Sequence, residues 1–165
     1  MNSNERPTGL DRRGVLLMAG GLIGASALSG SAFAQATPPS FPITDDYHRA
    51  RLAITKGLDP KRGRIALDIP RLAESGNSVT MKVTVASPMT AADHVREIVV
   101  LSERNPIAEI ARFKLSPRSG RAELTTNIRL ATTQHVHAFA VMSDGTVWTA
   151  DSEVIVLLAA CIDGA

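Results

Sequence analysis

Val79-Thr80-Met81-Lys82-Val83-Thr84-Val85 alternates apolar and polar residues without a break. Side chains on an extended backbone point to opposite faces in turn, so this period of two predicts a strand with one buried face. Asn77 and Ser78 follow Ser75-Gly76 as a turn signal before it, and Ser87-Pro88-Met89 ends it. The same pattern recurs outward in both directions. Ile65, Leu67 and Ile69 alternate up to Pro70, and Val95 to Ser102 and Ile107 to Leu115 read as further strands, the second with Ala111, Phe113 and Leu115 on one face. After Ser116-Pro117-Arg118-Ser119-Gly120, the residues Ala122, Leu124, Thr126, Ile128 and Leu130 share a face opposite Glu123, Thr125, Asn127 and Arg129. Two last strands, His135 to Ser143 and Val147 to Leu158, flank Asp144-Gly145, a dipeptide that favours a tight hairpin with positive φ. About seven short strands separated by turn signals predict an all-β fold, an antiparallel sandwich of immunoglobulin-like type.

Upstream of the strands the period lengthens. Asp45 to Lys56 predicts a short helix: Thr44 caps it, Asp45 and Asp46 suit its positive end, and Lys56-Gly57 suits the stop. Tyr47, Ala50 and Ile54 fall on one face of that helix, and Leu58 to Gly63 reads as a polar loop. Residues 35–44 are rich in Pro, Ser and Thr and read as a flexible leader. The expected organisation is therefore a signal segment over 1–34, the leader, a sandwich domain over 45–158, and a C-terminal arm over 159–165.

The signal reading rests on Arg12-Arg13, a twin-arginine pair, followed by a weakly apolar stretch from Val15 to Leu28 and then Ala32-Phe33-Ala34, a small-residue cleavage site. That stretch is shorter than the roughly 20 residues that span a bilayer, and Gly20, Gly21 and Gly24 weaken it. Cleavage after Ala34 is expected, leaving a periplasmic protein that begins at Gln35 and has no membrane segment.

Composition narrows the function. The 165 residues are 44% hydrophobic and 21% charged with net charge +2, which suits one domain with a real core. Aromatics are only 4% and no Lys/Arg block occurs, which argues against a nucleic-acid groove. No phosphate-binding glycine loop and no G-x-S-x-G elbow is present, and no cofactor is expected. His135 and His137 share a strand face and could reach one metal ion, with Asp144 or Cys161 completing the set, but surface histidines on a strand are the commoner meaning and no metal is assigned. Asp151 and Glu153 share a face and Glu123 could lie nearby; such acids on strands are ordinarily solvated. Trp148 and Met142 read as core or interface.

One residue stands apart. Cys161 is the single cysteine, in the ending Ala159-Ala160-Cys161-Ile162-Asp163-Gly164-Ala165 after the apolar run Val154 to Leu158. A lone cysteine in an oxidising compartment makes no internal disulfide; it is buried, joined to another molecule, or chemically useful. Chain ends are mostly exposed, which favours an accessible thiol. No Lys, Arg or His lies near it in sequence, whereas Asp163 and the terminal carboxylate do, so nothing local favours the thiolate. An unactivated, accessible thiol suits an attachment point better than a catalytic nucleophile.

Several stretches together resemble the SoxY family, the sulfur-compound carrier subunits of the periplasmic thiosulfate-oxidising system. They are Ala73-Glu74-Ser75-Gly76-Asn77-Ser78-Val79, Val85-Ala86-Ser87-Pro88-Met89, Glu103-Arg104-Asn105-Pro106, Ser119-Gly120-Arg121-Ala122 and Met142-Ser143-Asp144-Gly145-Thr146-Val147-Trp148. The resemblance implies a non-catalytic carrier that works with separate periplasmic sulfur-oxidising enzymes and pairs with a SoxZ-like sandwich subunit. It implies Cys161 as the covalent attachment residue. The family arm is Gly-Gly-Cys-Gly-Gly; here Ala159 and Ala160 precede the cysteine and Ile162 and Asp163 follow it, similar to SoxY-related proteins with an Ala-Ala-Cys-Ile-Glu arm. Alanine and a β-branched isoleucine are stiffer than glycine, so this arm implies a different partner cleft. Three readings stand at this point: a covalent sulfur carrier, an interaction module whose cysteine forms an intermolecular disulfide or is idle, and a metal-binding protein using His135 and His137.

Overall fold

The computed structural model describes residues 41–160. One helix, α1 (Asp45–Thr55), precedes eight strands: β1 (Ile65–Asp68), β2 (Leu72–Ser75), β3 (Val79–Val85), β4 (Val95–Ser102), β5 (Glu109–Lys114), β6 (Glu123–Ile128), β7 (Gln134–Met142) and β8 (Val147–Leu158). They form a three-stranded sheet ordered β1-β3-β6 and a five-stranded sheet ordered β2-β8-β7-β4-β5. This is the all-β sandwich that the alternation implies.

The alternating stretch supplies the centre. Val79, Met81, Val83 and Val85 of β3 are all buried, Met81 and Val83 completely. They face Ile98 and Val100 of β4 and Val136, Ala138 and Ala140 of β7, together forming the layer between the sheets. Burying side chains of this size contributes on the order of 1.5–3 kcal/mol each. A second, smaller apolar cluster lies on the outer face of the five-stranded sheet. There Tyr47 and Ile54 of α1 pack on Val99, Leu101 and Phe139. The helix forms as its ends dictate: Thr44 Oγ1 accepts from the Tyr47 amide at 3.2 Å, and Lys56 takes the left-handed conformation at the far end with φ 54°. Asp46 does more than suit the helix dipole, because its Oδ2 accepts from the Ala108 amide at 2.9 Å and fastens α1 to the loop between β4 and β5.

The structure departs from expectation at four places. There are eight strands rather than seven: Leu72–Ser75 is a strand, and it pairs with β8 in parallel, Leu72 opposite Ile155 and Ala73 opposite Val156. Four residues with one buried side chain carry too little periodicity to register in sequence, and only β8, distant along the chain, gives them a ladder. β5 begins at Glu109, leaving Ile107 62% exposed in the preceding bend. At Asp144-Gly145 only glycine has positive φ (83°). The Met142 carbonyl accepts from the Gly145 amide and the Met142 amide donates to the Thr146 carbonyl, the pattern of a three-residue loop with a glycine bulge rather than a two-residue turn. Asp144 Oδ1 accepts from the amide and hydroxyl of Thr146, and these bonds hold its carboxyl below the usual carboxylate range. Finally, Glu123 lies on the three-stranded sheet, paired with Lys82 at 2.7 Å, and not beside Asp151 and Glu153 on the other sheet.

Candidate functional site

The last strand carries the chain to the candidate residue, and the way it ends is specific. After Leu158 three segments interlock at one end of the sandwich. The Gly76 amide donates to the Leu158 carbonyl at 2.8 Å, the Leu130 amide to the Gly76 carbonyl at 2.8 Å, and the Ala160 amide to the Leu130 carbonyl at 3.2 Å. Ala160 is buried, at 8% exposure, whereas Ala159 is exposed. Leu130 is fully buried beneath this ladder.

Only glycine fits at position 76. A Cβ there would stand 2.0 Å from the Leu130 carbonyl oxygen and 3.0 Å from the Ala160 nitrogen. The requirement is closeness of three backbones, not an unusual φ. Gly76 is the residue that sequence reasoning passed over as a turn signal; its place in Ser75-Gly76-Asn77 marked a turn but not a lock. Of the predicted arm residues, Ala159 and Ala160 are therefore placed, the second pinned. Cys161, Ile162 and Asp163 lie outside the described residues, as do Arg12, Arg13 and Ala34.

The histidine pair sits elsewhere, on the outer face of β7. The rings of His135 and His137 are 6.2 Å apart. His137 Nε2 lies 2.9 Å from Glu103 Oε1 in a mostly buried contact, and its ring packs 5.2 Å from Tyr47. His135 Nδ1 is 4.0 Å from Asp151, which also takes a hydrogen bond from Arg62. Each histidine thus has its own carboxylate. No group of three or more His, Cys, Asp or Glu among the described residues could hold a metal ion. Tyr47, buried beneath α1 with Glu103 nearby, has its phenol pushed up to about 12, burial being the larger cause. The charged groups of Lys61 and Arg64 lie over the Trp148 ring, 5.8 and 5.6 Å from its centre, within the range of cation–π attraction.

The model of the family described as "Sulfur oxidation protein SoxY" matches residues 51–161. The chain belongs to the SoxY family. The match begins in α1 and runs through the Gly76–Leu130–Ala160 lock to Cys161 itself. Among solved structures, the sulfur carrier protein SoxY from Chlorobium limicola f thiosulfatophilum aligns at 24% identity with a TM-score of 0.55, covering 66% of this chain and 94% of that one. A superoxide reductase (neelaredoxin) from Ignicoccus hospitalis aligns at 19% identity with a TM-score of 0.51, covering 57% of this chain and 80% of that one. A single-residue variant of the same reductase gives 18% identity and a TM-score of 0.52, covering 66% of this chain and 86% of that one. At these identities the structural likenesses establish a shared fold, and a shared fold does not carry a chemistry with it. No curated relative matches the sequence.

Proposed function

We propose that the protein is a periplasmic, non-catalytic carrier that holds a sulfur compound covalently on Cys161 while separate sulfur-oxidising enzymes act on it. A small sandwich subunit of SoxZ type is its expected partner. The observation that carries this reading is the family match running to residue 161, with a locked residue immediately before the sole cysteine. The lock matters for a carrier. It gives the thiol a fixed origin on the sandwich, so that partners of different shape meet it at one place.

Loading fits this division of labour. Joining the Cys161 thiol to a thiol-bearing sulfur compound makes one S–S bond and releases two protons and two electrons. A separate enzyme with an electron acceptor must take those electrons, and export after folding by the twin-arginine route suits a carrier assembled with its partner before it leaves the cytoplasm. Isolation from the native host without reductant, followed by intact mass measurement, tests the reading. The expected result is a mass increase at Cys161 made up of sulfur or sulfur and oxygen, removed by reductant and missing in Cys161→Ser. A Cys161 found only as free thiol, or only in a disulfide between proteins, together with unaltered sulfur oxidation in Cys161→Ser, would refute it.

A further inference from the structure

The outer face of the five-stranded sheet is covered unevenly. α1 shields its β4 and β7 part, where Val99, Leu101 and Phe139 are buried. At the β2–β8 edge no other described element covers the same face. Leu72 is 55%, Ile155 44% and Leu157 62% exposed. Leu72 and Ile155 are register partners, and Leu157 is two residues further along β8 on the same side. Isolated exposed aliphatics are ordinary on a protein surface, whereas three contiguous ones suit an interaction site. Glu74 and Glu153 rim the patch, with Arg71 next to Leu72 at its edge; all three are exposed, none makes an ion pair among the described residues, and the rim is acidic on balance.

We infer that this patch is the docking surface for the separate enzyme that acts on Cys161, not for the SoxZ-type subunit, and that this enzyme presents an apolar surface with a basic rim. The inference rests on the carrier reading above. Leu157 precedes Cys161 by four residues, a span of at most roughly 14 Å of extended chain. A standard interface covers about 800 Å² on each side, a footprint roughly 30 Å across. A footprint of that size centred on the thiol reaches Leu157 and so meets the patch. A second copy of this chain is the poorer occupant: two-fold pairing centred on Leu72, Ile155 and Leu157 would bring two acidic rims together, and facing like charges are costly.

The test uses full chains in the native host: wild type, Ile155→Lys/Leu157→Lys, Glu74→Lys/Glu153→Lys, and Cys161→Ser. Intact mass without reductant reads the adduct at Cys161. The purified proteins are also compared in thermal midpoint, in sedimentation, and in the rate at which Cys161 reacts with a small aromatic disulfide. At least tenfold less adduct in both lysine variants is expected, with folding and small-reagent rate unchanged. Wild-type adduct levels in the lysine variants would overturn the docking surface and leave the carrier reading intact. No adduct even on wild type would sink the carrier reading and this inference with it. A wild-type dimer that the lysines dissociate would assign the patch to the dimer's other member, a second copy or the SoxZ-type subunit. A faster small-reagent reaction in the lysine variants would assign it to the chain's own C-terminal residues. Either result overturns the inference.

Discussion

Gly76 shows how much one hydrogen atom in place of a methyl group can decide. Its amide and carbonyl join Leu158 to Leu130, and Leu130 in turn receives Ala160. Gly76→Ala puts a carbon where the Leu130 oxygen already stands, so one of the three segments must move. The expected cost is about 3 kcal/mol, combining overpacking with loss of ladder hydrogen bonds, measurable by urea denaturation. The variant should also free the chain from Ala160 onward, seen as faster amide exchange at Ala160 and Leu130 than at Met81. Unchanged exchange at Ala160 would show that the lock does not govern how the C-terminal end leaves the sandwich.

Among the elements, α1 is held by specific contacts as well as by its apolar face. Asp46 ties its first turn to Ala108, and Tyr47 sits on the sheet beside His137 and Glu103. Because the Tyr47 phenol is pushed from 10.0 to about 12 in the fold, the folded protein keeps a proton that the unfolded chain gives up. Stability from this source is complete below pH 10 and is lost as pH rises towards 12, on the order of 2 kcal/mol. Denaturant titrations from pH 9 to 12 should show this decline in wild type and a shallower one in Tyr47→Phe. Parallel curves would mean that Tyr47 ionises as freely folded as unfolded. β2 makes the complementary point: an element with almost no pattern of its own exists because β8 offers it a partner edge.

Across the sandwich as a unit, one apolar layer joins both sheets, with Met81 fully buried at its centre among residues of β4, β6 and β7. Met81→Ala should lower stability by about 2–5 kcal/mol, the range for truncating a large core side chain. Calorimetry should show a single, lower transition, as expected when one core unites both sheets. Two separated transitions would show that the sheets fold independently.

Elements with a local pattern were legible from the residues alone. β3 was legible to the residue because Val79 to Val85 alternate strictly, and α1 was legible from Thr44, Asp45, Asp46 and Lys56 because caps and end charges act within a turn. Cys161 stood out by being alone. Folding in three dimensions was needed to reveal the parallel β2–β8 edge, the separation of Glu123 from Asp151 and Glu153, the carboxylate that each histidine takes, and the lock at Gly76. Each of those depends on residues far apart in the chain, brought together or kept apart by strand pairing and sheet membership, a relation that no short window of sequence contains.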